Sequence, residues 1–205
     1  MSYRRARIAR KASLVTTDRP EPDRSPRGLT PSLVPKLRAG DAEAGDLLDR
    51  EYRERLVGFF WSRLGSHEEA EDAVQEVFRK VLESKQVPDN PRPWIYKIAL
   101  NHCRNVLRGR ARRRDNAALP SASRMSRRST GVSTRFARDE AKSRLSHLVN
   151  ALPVKYREVL QLRYADDLSR AEIAEVLEIS ESVVKSRLFE GLKKLREHAS
   201  LLEDR

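Results

Sequence analysis

The stretch from Leu168 to Arg196 restricts the fold of this chain more than any other part of the sequence. Ser169 and Glu172 have the S-x-x-E spacing of a capping box, which satisfies two backbone N–H groups at the start of a helix. Apolar residues then recur at helical spacing in two runs, separated by Glu178-Ile179-Ser180. The runs contain Ile173, Ala174 and Leu177, and then Val183, Val184, Leu188, Leu192 and Leu195. This pattern predicts a helix-turn-helix.

The second helix of this motif has a face of hydroxyl, cationic and aromatic side chains, which suits the base edges and phosphates of a DNA major groove. We expect Arg187 to reach a guanine and Lys185 to touch either a base or a phosphate. A thymine methyl contact and burial against the domain's own first helix suit Phe189 equally well. An ordinary amphipathic hairpin would show the same capping and periodicity, so the pattern alone leaves both interpretations open. The candidate DNA-binding face consists of Ser182, Lys185, Ser186, Arg187 and Phe189.

Charge is distributed unevenly along the 205 residues, which carry a net charge of +12. Residues 1–28 hold eight basic and three acidic side chains, and residues 108–138 hold ten basic and one acidic. Residues 41–86, in contrast, hold twelve acidic and seven basic side chains. The basic segments suit a polyanion such as nucleic acid, and the acidic block suits a protein partner. Solvated helix faces would produce similar runs of charge.

The periodic segments predict an all-α fold of two small helical domains joined by a flexible basic linker. Gly is scarce, and Pro clusters outside the periodic segments. The sequence divides into a disordered basic arm at 1–28, a first domain at 29–110, a linker at 111–136 and a second domain at 137–200.

Within the first domain, the Gly40-Asp41 pair predicts a break between a short helix and a long one. Ser66 and Glu69 predict a second capping box. The segment 87–93 is expected to be a loop because it holds three prolines, and the next helix is expected to begin near Trp94. In the second domain, helical periodicity resumes near Phe136, continues through Leu145, Leu148, Val149 and Leu152, and ends at Pro153.

Several classes of protein are disfavoured by what the sequence lacks. Cys103 is the only cysteine, which excludes a disulfide framework and fits a reducing compartment. No apolar run approaches the roughly 20 residues that span a bilayer, so we expect a cytoplasmic protein without membrane insertion. The histidines are scattered, and no nucleophile with a base accompanies the acidic residues. We therefore expect no enzymatic activity, no metal site and no cofactor.

Two helical stripes in the first domain are candidates for binding. The first has polar residues at i, i+3, i+4 and i+7 beside an aromatic residue, which suits a partner helix as well as a solvated face. It comprises Asp72, Gln75, Glu76, Phe78 and Arg79. The second recurs along the helix after the Pro-rich loop and comprises Asn101, Arg104, Asn105 and Arg108. Trp94 begins that helix, and its apolar neighbours favour core packing over stacking on a base.

Three stretches together resemble the extracytoplasmic-function sigma factors of bacterial RNA polymerase. They are EAEDAVQEVFRKVL (69–82), NPRPWIYKIALNHCRNVLR (90–108) and LPVKYREVLQLRYADDLSRAEIAEVLEISESVVKSRLFEGLKKLRE (152–197). The first is similar to the family's D-x-x-Q-E-x-F signature. The second is similar to the segment that opens the −10 promoter element, and the third to the domain that reads the −35 element.

The resemblance implies a promoter-specificity subunit with core RNA polymerase and promoter DNA as partners. The polymerase would be contacted at its β′ clamp helices, by Asp72, Gln75, Glu76, Phe78 and Arg79, and at its β flap. An anti-sigma factor is a further partner that the resemblance leaves open. The −10 element would be held in the Pro-rich loop and on the helix after it, where polar groups can read flipped bases. The residues implied are Asn90, Arg92, Asn101, Arg104, Asn105 and Arg108.

The sequence also departs from the family pattern. Glu178 stands in the helix-turn-helix turn where the family usually has Gly, and Glu190 and Gly191 replace a basic or small pair. A stand-alone helix-turn-helix regulator would explain the second domain but not the stripe that begins at Asp72. A basic RNA-binding scaffold would use the Arg-rich linker instead, although the sequence has no aromatic sheet signature typical of RNA readers.

Overall fold

The computed structural model describes residues 33–116 and 148–203, and all regular structure within these two ranges is helical. The first domain consists of α1 (Leu33–Ala39), α2 (Glu43–Leu64), α3 (His67–Leu82) and α4 (Pro91–Asn116). The second consists of α5 (Val154–Tyr164), α6 (Arg170–Leu177) and α7 (Glu181–Glu203), preceded by a helical segment at 148–151. The all-α fold is thereby confirmed. The predicted basic arm, the linker beyond residue 116 and the predicted helix start near Phe136, with Leu145, lie outside the described residues.

Glycines end the first two helices, and a serine cap begins the third. Gly40 and Gly65 adopt positive φ values of 65° and 79°, which end α1 and α2 without the steric cost that a Cβ would bring. The predicted break at Gly40 is confirmed. Ser66 caps α3 by accepting a hydrogen bond from the Glu69 N–H. The carboxylate of Glu69 contacts Arg110 instead of completing the box, so only half of the predicted capping box forms.

Helix α4 is longer at both ends than the sequence predicted. It begins at Pro91 rather than near Trp94. The N–H groups of the first helical turn have no partner within the helix, so a proline, which has no N–H, is tolerated there. It continues past residue 110, the predicted end of the first domain, to Asn116. The apolar stripe is lost in this last part of the helix. The helix continues because arginine and alanine, which are common there, are strong helix formers. The predicted loop is confirmed as far as Asn90.

An aromatic cluster forms the centre of the first domain. The rings of Phe59 and Phe60 on α2 meet edge to face at 5.2 Å, and Tyr96 of α4 contacts Phe59 in the same way at 5.7 Å. Helix α3 packs along α2 through its buried stripe, and α4 packs against both helices. The α3 stripe consists of Ala70, Ala73, Val74, Val77, Phe78 and Val81.

The second domain contains the predicted helix-turn-helix. The Ser169 side chain accepts from the Glu172 N–H at 3.1 Å, and the Glu172 carboxylate accepts from the Ser169 N–H at 2.8 Å, which confirms the capping box. Val184 is fully buried between α6 and α7, as predicted. Gly191 permits the close crossing of α7 over α5, because a Cβ at this position would lie 3.1 Å from Leu160 Cδ1.

The two domains contact each other directly, which the sequence did not predict. Helix α4 of the first domain packs against α6 of the second. Arg92 is only 6% exposed and donates hydrogen bonds to the Asp166 and Asp167 carbonyl oxygens at 3.1 and 3.0 Å. Arg63 donates to the Asp166 carboxylate at 3.1 Å, and both side chains are buried. Burial raises the pKa of Asp166, while Arg63 opposes that shift.

The packing of the second domain can be tested by replacing each of two helical glycines with leucine. Gly58→Leu in α2 should stabilise the protein by about 0.5–1 kcal/mol, because a Cβ at this position would have no atom within 4 Å and glycine weakens a helix interior. Gly191→Leu should destabilise it by about 1–3 kcal/mol through overpacking against Leu160 and Tyr156. Urea unfolding of both variants would measure the difference. Equal effects at the two positions would contradict the close crossing of α5 and α7.

Candidate functional site

The polar stripe of α3 lies opposite the buried stripe of the same helix. Asp72 and Gln75 are exposed, so their side chains are available to a partner. Glu76 is held by Arg79 through two hydrogen bonds, of 2.9 and 2.8 Å, and by Lys80 at 3.3 Å. These contacts, with the Arg79 hydrogen bond foremost, lower the pKa of Glu76 to about 2. The Glu76 carboxylate is therefore ionised at any physiological pH.

Phe78 lies in the buried stripe of α3, where the spacing of the apolar residues also predicts it, and not on the exposed face with the other candidate polymerase-binding residues. Its side chain is 8% exposed and belongs to the core of the first domain. The reason is its position one residue after Val77, which places its ring between α3 and the rest of the bundle. Arg79 is exposed, but its guanidinium is shared between Glu76 and Glu83, the latter at 2.6 Å. The solvent-facing part of the stripe therefore consists of exposed Asp72, Gln75 and Arg79 and half-buried Glu76.

The Pro-rich loop is fixed in place before α4 begins. Arg38 of α1 donates to the Val87 carbonyl oxygen at 3.0 and 2.8 Å and to the Asp89 carboxylate at 2.7 Å. Beside the loop lie an open cavity of about 310 Å³ and a wider groove of about 700 Å³. Trp94 lines both of them. Trp94 is half-buried, so it packs against the core and also lines both spaces. The smaller cavity is lined by Pro88, Asn90, Pro93, Trp94, Lys97 and Glu175.

The candidate −10 residues fall into two groups in the structure. Asn90, Asn101, Asn105 and Arg108 are exposed, and Arg108 donates to the Asn105 side-chain oxygen at 2.6 Å. Arg92 and Arg104, in contrast, are engaged by the second domain. Arg92 is buried against it.

Arg104 binds the Glu158 carboxylate through two hydrogen bonds of 3.0 and 2.8 Å. Sequence reasoning also missed Lys97, which lines the smaller cavity and contacts Glu178 at 2.7 Å. Lys97 follows Pro93 by one helical turn, and this spacing could have identified it as a residue on the loop side of the helix.

The candidate DNA-binding face of α7 is open at its N-terminal end. Ser182, Lys185 and Ser186 are exposed, and Arg187 is half-buried. Phe189 is 52% exposed, which favours an outward contact over burial against α6. Ser180 supports the first turn, since its hydroxyl accepts from the Val183 N–H at 3.4 Å.

Neither a metal centre nor a membrane helix is found in the part of the chain that the structure describes. Residues 33–116 and 148–203 contain no group of three His, Cys, Asp or Glu side chains arranged to hold a metal ion. No helix in these ranges is long and apolar enough to cross a membrane.

Comparison with known families matches both domains. Residues 48–113 match the family described as Sigma-70 region 2, and residues 142–195 match that described as Sigma-70, region 4. The RNA polymerase sigma-H factor of Pseudomonas aeruginosa is 28% identical over 167 residues, covering 77% of this chain and 86% of the relative. The ECF RNA polymerase sigma factor SigW of Bacillus subtilis is 28% identical over 176 residues, covering 80% and 92%.

A solved structure shares the fold. CnrH, in complex with the cytosolic domain of CnrY, is similar with a TM-score of 0.62 and 24% identity. The match covers 84% of this chain and 96% of that one. At this identity the likeness concerns the fold alone.

The pKa of Glu76 offers a test of the α3 geometry. We expect the Glu76 carboxylate to titrate near pH 2 in the wild type and closer to its ordinary value of 4.5 in Arg79→Ala, because its strongest hydrogen bonds are lost. Since the pKa is lowered in the folded state, this pair contributes stability above about pH 4.5 and loses it as the pH falls toward 2. Carboxyl ¹³C NMR would measure the titration, and Lys80→Ala should shift it less. An unchanged pKa in Arg79→Ala would contradict the pairing.

Proposed function

This chain belongs to the sigma-70 family of RNA polymerase sigma factors, in its extracytoplasmic-function group, and on that premise we propose which of its surfaces bind the polymerase and each promoter element. The first domain binds core RNA polymerase and the −10 element, and the second binds the −35 element. The protein thereby directs the polymerase to particular promoters and helps to melt them. It acts with the polymerase in the cytoplasm, and it supplies binding rather than catalysis.

The exposed stripe of α3 is the observation that carries this proposal. Asp72, Gln75 and Glu76 point away from the domain core, and Glu76 stays ionised. A stand-alone regulator has no use for such an acidic helix face in a separate domain, whereas a subunit that docks on a larger enzyme does. The β′ clamp helices are the proposed docking site, and the β flap is the proposed contact of the second domain.

The −10 element is proposed to bind beside the Pro-rich loop and along α4. The loop is fixed by Arg38, so little entropy is lost when a base enters the cavity that Asn90 and Trp94 line. Asn101 and Asn105 offer amide groups to base edges farther along the helix, and Arg108 suits a phosphate. The open cavity of about 310 Å³, which Glu175 of the second domain also lines, is the proposed pocket for a flipped base.

The first test concerns polymerase binding. Asp72→Arg should weaken binding of the folded protein to core polymerase by tenfold or more, because it places a cation where a carboxylate is expected to meet the partner. Glu54→Arg is the matched control, since it reverses an equally exposed carboxylate on α2 and should leave binding unchanged. Fluorescence anisotropy with labelled sigma factor would measure both, and circular dichroism would confirm folding. Equal binding by the two variants would contradict the role of α3.

The second test concerns the −35 element. Arg187→Ala should cost roughly 1–3 kcal/mol against the preferred sequence and relax discrimination at one position. Lys185→Ala serves as the comparison, because loss of a phosphate contact should weaken all sequences together and reduce the salt slope by about one unit. Transcription from a −35 promoter library by each holoenzyme would separate the two effects. If Arg187→Ala keeps every base preference, sequence reading belongs to Ser182, Lys185 or Ser186 instead.

A further inference from the structure

Val183 is an exposed apolar residue at the end of α7 that is proposed to bind the −35 element. The sequence groups it with Val184 in one apolar run, but the structure separates the two residues. Val184 is fully buried, whereas Val183 is 37% exposed. Among the described side chains of α7, the other large apolar residue that is exposed is Phe189. Burial therefore assigns Val183 to the outward face of the helix rather than to the core.

Helical geometry places Val183 beside the polar residues of that face. Ser186 follows the buried Val184 by two residues, so the two side chains project on nearly opposite sides of the helix. Val183 and Phe189 are each three residues from Ser186, one before it and one after it, so they flank it on its two sides. Val183 also lies in the first turn of α7, which begins at Glu181. The N-terminal residues of a recognition helix are the ones that contact base edges.

The first turn of α7 leaves no free hydrogen-bond donor at position 183. The Ser180 hydroxyl accepts from the Val183 N–H at 3.4 Å, and the Ser180 carbonyl oxygen accepts from the Val184 N–H at 3.0 Å. The hydroxyls of Ser180 and Ser182 lie 2.8 Å apart, which fixes this turn further. The isopropyl side chain of Val183 has no donor, and its N–H is engaged within the chain. A contact between Val183 and DNA is therefore apolar.

Thymine is the base that presents an apolar group in the major groove. Its C5 methyl group distinguishes it from the other bases, and small apolar side chains on recognition helices contact this group. We propose that Val183 is a specificity-determining residue of the −35 surface and that it contacts a thymine methyl group. This inference rests on the proposed function. It adds an apolar base contact to the guanine contact expected of Arg187.

The test removes the methyl group from the DNA and the isopropyl group from the protein separately. The preferred −35 sequence is taken from the promoter library transcribed by the wild-type holoenzyme. Each thymine of either strand is then replaced by deoxyuridine, which keeps the hydrogen bonds of the base pair and lacks only the methyl group. Competition between modified and unmodified promoters measures holoenzyme binding. At one thymine the replacement should weaken wild-type binding about fourfold, the factor that burial of one methyl group contributes.

Three protein variants show whether Val183 makes this contact. Val183→Ala should bind the modified and unmodified promoters equally well at that thymine, because the contacting methyl groups of the side chain are gone. Val183→Ile keeps a branched apolar side chain and should keep the fourfold difference. Val154→Ala is the matched control, since Val154 is a valine of the same domain that is 54% exposed on α5, and it should also keep the difference.

Two precautions separate this contact from other effects. Competition compares two promoters with the same protein, so a partial folding defect in Val183→Ala leaves the ratio of the two affinities unchanged. Phe189→Ala identifies a second methyl contact, because the difference that it abolishes should fall on another thymine.

The outcomes distinguish this inference from the proposed function. A wild-type holoenzyme that is insensitive to deoxyuridine throughout the −35 element, or a preferred sequence without A·T pairs, would overturn the thymine contact. The same holds if Val183→Ala keeps the full difference. If that variant also binds core polymerase more weakly, Val183 belongs to a protein interface instead. A library without any −35 preference would contradict the proposed function itself, whereas a −35 preference without methyl dependence at Val183 would contradict this inference alone.

Discussion

The carboxylate of Glu172 is the group on which both the second domain and its position depend. It accepts the Ser169 N–H at 2.8 Å, which starts the helix-turn-helix, and it faces the Arg92 guanidinium at 3.3 Å. A buried guanidinium is costly unless its charge and its donors are satisfied. Glu172 and the carbonyl oxygens of Asp166 and Asp167 accept hydrogen bonds from the two terminal nitrogens of Arg92, whereas its buried Nε has no partner among the described residues. One side chain therefore links the local start of a helix to the contact between two domains.

Local signals in the sequence predicted the helices well, because their causes lie within a few residues of one another. The box at Ser169, the break at Gly40 and the burial of Val184 follow from spacing and backbone chemistry alone. The ends of α4 were wrong for the same reason. Prolines and arginines were interpreted as signs of a loop, although each is compatible with a helix at the position where it occurs.

The contacts of the candidate sites could not be predicted from the sequence, because their partners are distant along the chain. Arg92 and Glu172 are separated by 80 residues, and Arg104 and Glu158 by 54. Periodicity showed that Arg104 belongs to a polar face but not what that face meets. Glu178 illustrates the limit well. The sequence showed only that Glu178 departs from the family's usual glycine, whereas the structure shows a left-handed residue whose carboxylate contacts Lys97.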